Sequence, residues 1–422
     1  MKSVLIVGGG FVGLNAAKGL ANATDVQVTL VDRRNHHLFQ PLLYQVAMAG
    51  LSPADIAVPI RSLVARYRNI RVLQGEVVSL DLPGNRVQTS FGELSFDYLI
   101  LAGGSQHSYF GHDEWENFAP GLKTIEQATE IRRRVLTAFE QAELDSDPER
   151  RKRQLTFVII GGGPTGVELA GAIGEMTRFT LAKDFRTIDA TLARIILIEA
   201  GPRILPMFSE RQASRVVRDL EGLGVQTWTN SKVTQVDERG VYVGNEHIAA
   251  ATVLWAAGVQ ASSLGQRTGA QCDPQGRVMV ESDLSIKSFG NVFVAGDMAC
   301  VLRSDKTPLP GVAPVALQQG RYIARMIRGE VQKGAERTPF VYVDKGQMAT
   351  IGRSRAIVEI GKFHLAGRVA WLLWLVVHIY YLAGFRNRLF VVMQWAWSYL
   401  TFRRGARLII DKEWRFGKRQ ES

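Results

Sequence analysis

The sequence predicts an α/β protein with two doubly wound parallel-sheet units and a C-terminal helical region. Two stretches predict the units, VLIVGGGFVG at residues 4–13 and FVIIGGGPTG at residues 157–166. Each joins an apolar, β-branched run to G-x-G-x-x-G and then to a helical pattern rich in alanine and leucine. The tail is predicted by a change of composition after residue 340, where apolar, aromatic and basic residues predominate.

The first unit is predicted from strands that alternate with helices and turns. Strands are expected at Val4–Val7, Val26–Val31, Ile70–Leu73 and Tyr98–Ala102. Short apolar strands separated by helical segments are typical of a parallel sheet.

The glycines of each loop indicate why it suits a dinucleotide. The first glycine allows a tight turn, the second lets backbone amides reach a pyrophosphate at the positive end of a helix, and the third lets that helix pack on its strand. In chain order they are Gly8, Gly10, Gly13, Gly161, Gly163 and Gly166. Two nucleotide cofactors are therefore expected, the alternative being glycine turns in a structural α/β protein.

An acidic residue at the end of the next strand is expected to accept the ribose hydroxyls. Asp32 follows Gly13 by 19 positions, close to the usual spacing of about 20. Glu199 follows Gly166 by 33 positions, because a polar stretch lengthens this connection. Both carboxylates repel a 2′-phosphate, so NADH is expected over NADPH at Glu199.

The second unit is expected to begin at Leu155, after a charged stretch at residues 143–154 that predicts a helix exit and a linker. It continues through an apolar strand at Val253–Gly258. Another buried strand, ending in Gly-Asp, is expected at Asn291–Ala299. The two units are a repeat at the scale of a domain.

The net charge of +11 is concentrated in the tail, where residues 361–422 contain 11 basic and 3 acidic residues. A chain this basic can bind nucleic acid, but here the charge borders tryptophan-rich apolar runs and no nucleic-acid module is recognised. No nucleic-acid partner is therefore expected.

The two cysteines, Cys272 and Cys300, lie far apart and have no metal-ligand spacing. A reducing compartment and the absence of a metal site are expected. No secretion signal is expected, because strand residues begin at Ser3.

The tail contains two apolar segments, Val369–Phe385 and Leu389–Phe402. As helices they span about 25 and about 21 Å, less than the roughly 30 Å of a hydrocarbon core. A monotopic anchor in one leaflet is predicted, with arginines on anionic lipid headgroups. These arginines are Arg386, Arg388, Arg403, Arg404 and Arg407. A buried helical hairpin, a dimer interface and a single tilted spanning helix are the alternatives.

Together the motifs resemble those of the type II NADH:quinone oxidoreductases, which are single-chain flavoenzymes of the membrane surface. The resemblance covers essentially the whole chain. It is carried by GGGFVG with Asp32, GGGPTGVELAG with Glu199, VLWAAGVQAS, VFVAGDMA, APVALQQG and FRNR. It implies two Rossmann-like dinucleotide-binding domains, with FAD on the first loop and NADH on the second.

The resemblance also implies domain boundaries, with the NADH domain inserted between two pieces of the FAD domain. The expected segments are 1–123 for the first part of the FAD domain, 124–154 for a connecting helix and linker, 155–284 for the NADH domain, 285–345 for the second part of the FAD domain, and 346–422 for the membrane-anchoring region.

The residues implied to bind the cofactors follow from the same motifs. For FAD they are Gly8, Gly10, Gly13, Asp32, Val77 at the adenine, Ala102, Gly103, Asp297 near the ribityl or pyrophosphate group, and Gln318. For NADH they are Gly161, Gly163, Gly166, Glu168, Glu199 and Gly258. Glu168 is implied to orient NADH or influence proton delivery, the alternative being a carboxylate favoured by the helix dipole.

The quinone pocket is implied by a short family motif, A-Q-x-A-x-Q. Here it reads Ala313, Pro314, Val315, Ala316, Leu317 and Gln318, so proline replaces the first glutamine. Ala313, Pro314, Gln318 and Gln319 are the expected quinone residues, with Glu168 and Gln318 as catalytic residues. For Gln319 alone, an exposed helix position is the simpler expectation.

The predicted activity is hydride transfer from NADH to FAD N5, followed by two-electron reduction of a membrane quinone without proton pumping. The predicted location is the cytoplasmic face of the inner membrane, as a peripheral, monotopic protein. Sulfide:quinone oxidoreductase activity would require cysteines that carry sulfur, and a flavin-binding redox scaffold is the other alternative. Homodimerisation through the tail is left open.

Overall fold

The fold is described from a computed structural model, for residues 1–303, 305–401 and 405–410. Two compact units divide the chain, and both are assembled from separate segments. Unit 1 consists of Met1–Leu38, Ala57–His107 and Val259–Lys345. Unit 2 consists of Phe39–Ile56, Ser108–Gly258 and the described residues from Gly346 onward.

The chain forms many short strands, some alternating with helices and others following one another directly, as in residues 70–107 and 225–255. In chain order the strands are β1 (Lys2–Val7), β2 (Val26–Asp32), β3 (His36–Leu38), β4 (Ala57–Pro59), β5 (Ile70–Gln74), β6 (Val77–Asp81), β7 (Arg86–Thr89), β8 (Gly92–Ser95), β9 (Tyr98–Leu101), β10 (Ser105–His107), β11 (Thr156–Ile160), β12 (Arg194–Ile198), β13 (Val225–Trp228), β14 (Val233–Asp237), β15 (Gly240–Val243), β16 (Glu246–Ala249), β17 (Thr252–Trp255), β18 (Val259–Ala261), β19 (Val278–Met279), β20 (Ser285–Ile286), β21 (Phe289–Val294), β22 (Ala299–Cys300), β23 (Gln347–Gly352), β24 (Arg355–Ile360) and β25 (Phe363–Ala366).

The helices are α1 (Phe11–Gly19), α2 (Leu43–Ala47), α3 (Pro53–Ile56), α4 (Ile60–Val64), α5 (Ile125–Leu144), α6 (Pro148–Gln154), α7 (Pro164–Glu175), α8 (Glu210–Glu221), α9 (Ala313–Lys333), α10 (Arg368–Tyr381) and α11 (Phe385–Thr401). A single turn of π-helix, Met176–Thr180, continues α7. The α/β class expected from the sequence is confirmed.

Unit 1 is built on a six-stranded sheet in the order β20-β21-β9-β1-β2-β5. The central strand β1 pairs in parallel with β2 and β9, so that Val4 lies opposite both Val28 and Tyr98. The order of strands reverses at β1, and ligands of doubly wound sheets bind at the carboxyl end of the strands where this reversal occurs. The loop after β1 lies at this point.

Unit 2 repeats the arrangement in a four-stranded parallel sheet, β13-β12-β11-β17. Val158 of β11 lies opposite Ile196 of β12 and Val253 of β17. The residues of β11 are all buried, as expected for a strand covered on both faces. The loop after β11 therefore occupies the same topological position in unit 2 as the loop after β1 in unit 1.

Residues 39–56 belong to unit 2, where Arg132 of α5 holds them. Its buried guanidinium donates from Nε and Nη2 to the Val46 carbonyl, at 2.8 and 2.6 Å, and from Nη2 to the Leu51 carbonyl at 3.0 Å. These bonds add a donor to the Val46 carbonyl, near the end of α2, which also accepts the Ala49 N–H, and supply one to the Leu51 carbonyl in the loop that follows. Burial lowers the pKa of Arg132 from its ordinary value.

The charged stretch at residues 143–154 differs from the expected linker. After α5 ends at Leu144, the chain forms a second helix, α6. Asp147 caps α6, accepting N–H bonds from Glu149 and Arg150, and Pro148 occupies the first turn. The expected helix exit agrees with the end of α5, whereas the expected linker was wrong, because Asp147 and Pro148 form a local signal for the start of a helix.

The tail forms α10 and α11, and the break between them comes earlier than the sequence indicated. The C-terminal carbonyls of α10 are capped by Arg388, which donates to the Leu382 carbonyl at 2.8 Å and to the Tyr380 carbonyl at 2.9 Å. Among the described residues, no helix is both long enough and apolar enough to cross a membrane. Arg403 and Arg404 lie outside the described residues.

Both faces of α10 are apolar. Ala370, Trp374 and His378, spaced four residues apart, are buried in unit 2. A second stripe is exposed to solvent. It consists of Val369, Leu372, Val376 and Tyr380.

Candidate nucleotide sites and a cavity at Glu168

The first glycine loop is shaped by close backbone approaches. Gly8 has φ of +107°, and a Cβ there would lie 2.3 Å from the Ala102 carbonyl oxygen. A Cβ on Gly13 would lie 1.8 Å from the carbonyl oxygen of Gly8. Gly10 is the N-cap of α1 and provides no side-chain cap, and a Cβ there would meet nothing within 4 Å. The helix N-terminus is thus open to an anion.

The second loop has the same construction. Gly161 has φ of +111° and a Cβ on it would lie 2.5 Å from Ala257 Cα. A Cβ on Gly166 would lie 1.9 Å from the Gly161 carbonyl oxygen. Gly163 caps α7 without a side chain and faces open space. Gly258 packs against the Ser108 carbonyl, so a Cβ there would clash at 2.7 Å.

The two acidic residues are held identically. Asp32 accepts N–H bonds from Gly9 at 2.6 Å and from Arg34 at 2.7 Å. Glu199 accepts N–H bonds from Gly162 and from Gly201, both at 2.7 Å. Each carboxylate therefore bridges two backbone N–H groups: one from the loop, at Gly9 or Gly162, and one from the residue two positions after the acid itself.

These features fit dinucleotides in both loops. The open helix N-termini provide N–H donors and a positive dipole end for a pyrophosphate. The carboxylates lie where ribose hydroxyls would donate to them. In unit 2 the nearby Arg203 donates to the carbonyls of Phe208 and Pro206, at 2.7 and 2.9 Å, so its guanidinium is already bound to the backbone.

The other expected FAD residues lie in unit 1. Asp297 Oδ2 accepts the Ser105 hydroxyl at 2.6 Å, in the short 3-10 turn Gly296–Met298. The Gly103 N–H donates to Met298 Sδ at 2.9 Å. Ala102 is buried and continues β9, and Val77 begins β6.

The glutamines of α9 make contacts that the sequence did not predict. Gln318 donates from Nε2 to the Val343 carbonyl at 2.9 Å and accepts the Val343 N–H at 3.0 Å. Gln319 is only 1% exposed and accepts the Gly296 N–H at 2.6 Å. The expectation of an exposed Gln319 was wrong, because this face of α9 packs on the turn that carries Asp297. Ala313 and Pro314 form the first turn of α9.

Glu168 lies on α7 within unit 2, and burial raises the pKa of its carboxyl to about 8, although a hydrogen bond from the Thr350 backbone acts in the opposite direction. The side chain lines a cavity of about 280 Å³. This volume is near the lower end of the range for small-molecule pockets, about 300 Å³. A carboxyl with a raised pKa in a cavity is characteristic of a functional site.

The cavity brings together residues that sequence reasoning missed. Tyr44 and Gln45 come from α2, Trp374 from α10, and Trp395 from α11. The only sequence signal was the tryptophan content of the tail, which was read as a membrane feature. Contacts between α2 and α11, whose residues are about 350 positions apart in the chain, produce no recognisable pattern in the local sequence.

Comparison with known proteins places these observations in a family. The family model of the pyridine nucleotide-disulphide oxidoreductases matches residues 2–320, and the model of the NDH2 C-terminal domain matches residues 345–404. The type II NADH:quinone oxidoreductase Ndh of Mycobacterium tuberculosis is 45% identical over 97% of this chain and 90% of its own length. A Staphylococcus haemolyticus type II NADH:quinone oxidoreductase is 28% identical over 83% of this chain and 88% of its own length.

Solved structures agree in fold. NDH2 from Plasmodium falciparum, in complex with NADH, has a TM-score of 0.88 at 19% identity and covers 97% of this chain and 100% of its own. The sulfide:quinone oxidoreductase of Aquifex aeolicus has a TM-score of 0.71 at 20% identity and covers 92% of both chains. The sequence likeness to the mycobacterial enzyme extends through both glycine loops and the tail, and the chain therefore belongs to the type II NADH:quinone oxidoreductases.

Proposed function

We propose that this chain oxidises NADH and reduces a quinone, with FAD in unit 1 and NADH in unit 2. FAD, when bound, accepts a hydride from NADH at N5 and passes two electrons to the quinone. The overall reaction converts NADH, a proton and a quinone to NAD⁺ and a quinol. The observation that supports this most is the matched pair of loops, each with an open helix N-terminus and a carboxylate held in the same way.

The residues of the two loops bind and orient the nucleotides. The N–H groups at the start of α1 and α7 hold the pyrophosphates, and Asp32 and Glu199 hold the ribose hydroxyls. Glu199 also makes the second site prefer NADH, since it repels a 2′-phosphate and Arg203 is already bound to carbonyl groups. Val77, Ala102, Gly103 and Asp297 are the further FAD residues that we propose.

Glu168 supplies a proton for quinol formation. With its pKa raised to about 8, the carboxyl is mostly protonated at pH 7 and can act as a general acid. Its position in a cavity lined by aromatic side chains limits access of water, which maintains the protonated form.

The quinone contacts proposed at Ala313, Pro314, Gln318 and Gln319 require rearrangement. Gln318 must release the Val343 carbonyl before its Nε2 can donate to a quinone carbonyl, whereas Gln319 holds the Gly296 N–H through Oε1, which leaves its Nε2 outside that bond. Gln319 is the less available of the two, because it is buried.

Attachment to the membrane is proposed through the tail. The exposed stripe of α10 and the exposed residues Phe385, Leu389 and Met393 of α11 are apolar side chains that a lipid surface would cover. Arg386 lies among them and is suited to an anionic headgroup. We place the protein in one leaflet at the cytoplasmic face of the inner membrane, where it transfers electrons without pumping protons.

Sulfide:quinone oxidoreduction is less well supported. Burial raises the pKa of both Cys272 and Cys300 from the ordinary thiol value, and the two are free cysteines. A raised pKa lowers the thiolate fraction that would attack sulfide-derived sulfur. Likeness to the Aquifex enzyme concerns the fold alone.

Stopped-flow absorbance of the FAD-loaded protein tests the proposal. NADH should bleach the flavin under anaerobic conditions, and a water-soluble quinone in detergent should restore its colour. Sulfide should produce no bleaching. A protein that cannot be loaded with FAD, or a flavin that NADH bleaches but quinone does not reoxidise, contradicts the proposal, and the second outcome favours a redox scaffold.

A further inference from the structure

A turn in unit 2 places an exposed aromatic ring beside Gly258. The turn runs from Tyr109 to His112, whose N–H donates to the Tyr109 carbonyl at 3.1 Å. A Cβ on Gly258 would lie 2.7 Å from Cζ of Phe110, so the edge of this ring lies against the glycine. Phe110 is nevertheless 67% exposed. A large part of the ring is therefore accessible to a ligand that binds at this glycine.

The residues of the turn do not suit its backbone conformation. Phe110 and Gly111, the two central residues, have φ of +55° and +92°. Positive φ at both positions is characteristic of type I′ turns, in which asparagine, aspartate and glycine are preferred. A phenylalanine at the first position is strained, and strained residues are concentrated at functional sites. The turn itself therefore does not explain why this position holds an aromatic residue.

Hydrogen bonds around the turn hold it in this conformation. The Ser108 N–H donates to the Gly258 carbonyl at 3.1 Å, and the Ser108 carbonyl accepts the indole N–H of Trp255 at 3.0 Å. The Phe110 N–H donates to the Ser108 hydroxyl oxygen at 3.3 Å. The rings of Phe110 and Trp255 have their centroids 6.2 Å apart. These contacts fix the turn to the end of β17.

The order of the strands in unit 2 indicates which half of a dinucleotide reaches Gly258. Glu199 follows β12, on one side of the central strand β11, and Gly258 follows β17, on the other side. Dinucleotides lie across the carboxyl end of a doubly wound sheet, where the strand order reverses. With the adenosine ribose at Glu199, the nicotinamide half therefore extends toward β17 and Gly258.

We infer that the Phe110 ring packs against the nicotinamide half of NADH, and that this contact explains an aromatic residue at a strained position. The inference rests on the proposed NADH site in unit 2 and adds a binding residue to it. Contacts between flat aromatic rings stabilise a complex beyond the burial of their apolar area. The adenosine half, on the β12 side of the sheet, makes no contact with Phe110.

Substitution of Phe110 separates a contact with the nucleotide from a structural contact. Phe110→Asn introduces a residue that favours the turn but has no aromatic ring, and Phe110→Ala removes the ring alone. The control is Phe363→Asn, which replaces another exposed phenylalanine of unit 2. The probes are NAD⁺ and ADP, which lacks the nicotinamide half. Their Kd values are measured by isothermal titration calorimetry on the FAD-loaded protein, and the Tm of each variant is measured in parallel.

Both Phe110 variants should raise the Kd for NAD⁺ about three- to tenfold, the effect expected of one aromatic contact, and should raise the KM for NADH by a similar factor. The Kd for ADP should not change, because ADP ends before Gly258. Phe110→Asn should have a Tm no lower than that of the wild type, since asparagine tolerates positive φ. Phe363→Asn should leave both Kd values unchanged.

An unchanged Kd for NAD⁺ in the two Phe110 variants would overturn the inference, and a lower Tm of Phe110→Asn would then assign the ring to packing on Trp255. Equal increases of the Kd for NAD⁺ and for ADP would also overturn it, because the whole site would then be disturbed. Failure of the proposed function is distinguishable, since the wild-type protein would then bind no NAD⁺ and NADH would not bleach its flavin.

Discussion

At the residue scale, Glu199 binds two backbone N–H groups of its loop, and we propose that it also selects the nucleotide. Replacing it by glutamine removes the charge and places an amide donor against backbone N–H groups. We expect kcat/KM for NADH to fall roughly 10- to 100-fold, since hydrogen bonds to a charged group contribute about 1.5–3 kcal/mol. The preference for NADH over NADPH should fall in steady-state kinetics. Glu221→Gln, an exposed acid in the same unit, should leave both unchanged.

The proton-donor role proposed for Glu168 predicts a reaction rate that depends on pH. As a general acid with a pKa of about 8, it should make quinone reduction slow about tenfold per pH unit above pH 8. Glu168→Gln should reduce quinone more slowly and should not show this decrease above pH 8. Glu175→Gln, on the same helix and in the same cavity, should still show it. Rapid-mixing measurements of flavin reoxidation at fixed quinone would detect the decrease, and its persistence in Glu168→Gln would exclude the proton-donor function.

The raised pKa of Glu168 also predicts how the free energy of unfolding changes with pH. A carboxyl whose pKa is higher in the folded than in the unfolded protein contributes stability below its ordinary pKa, and this is lost as the pH rises through the folded value. The free energy of unfolding of the wild-type protein should therefore decrease between about pH 5 and about pH 8 more than that of Glu168→Gln, as urea titrations would measure.

At the element scale, Arg132 of α5 contributes three hydrogen bonds that fix residues 39–56. Arg132→Met removes the guanidinium bonds to the Val46 and Leu51 carbonyls, of which Val46 still accepts the Ala49 N–H, and should lower the free energy of unfolding by about 3 kcal/mol. Arg133→Met removes a partly exposed bond to Glu130 on the same helix and should cost less than about 1 kcal/mol. Equal losses in urea unfolding would contradict the capping function of Arg132.

The exposed stripe on α10 is the element that we propose attaches the protein to lipid. Leu372→Glu with Val376→Glu should weaken binding to phosphatidylserine vesicles roughly tenfold or more, since each side chain loses apolar burial. Leu302→Glu, which changes an exposed leucine in unit 1, should bind as the wild type does in vesicle sedimentation. Point changes are preferred to deletion of the tail, because deletion would also remove the buried Trp374.

At the scale of the whole molecule, we expect that either nucleotide site can be impaired by substitution while the other still binds its nucleotide. Gly10→Ala and Gly163→Ala meet no protein atom within 4 Å, so the fold should be kept, but each methyl obstructs the approach of a pyrophosphate. Gly10→Ala should lose its flavin colour. Gly163→Ala should keep the colour, bind NADH more weakly, and still be reoxidised by quinone after chemical reduction. Loss of flavin from both variants would contradict the assignment.

The local motifs made the two sheets predictable. Gly8, Asp32 and their counterparts are recognised from neighbours in sequence, because a strand, a turn and a helix are contiguous. Contacts such as Arg132 with Val46, or Trp395 with Gln45, depend on segments that are distant in the chain, and residue type alone does not indicate a partner. Burial of Gln319 was missed for the same reason, since the 3-10 turn that it contacts lies in another segment.

The backbone hydrogen bonds of Asp32 and Glu199 orient their carboxylates before any nucleotide binds. A carboxylate has about four lone-pair sites. Backbone N–H groups fill two on each acid, which leaves about two, equal to the two hydroxyls of an unphosphorylated ribose. The acceptor oxygens are therefore already oriented before a nucleotide binds, so binding costs little additional conformational entropy. On the proposed function, the preference for an unphosphorylated ribose is therefore already present in the folded protein before a nucleotide binds.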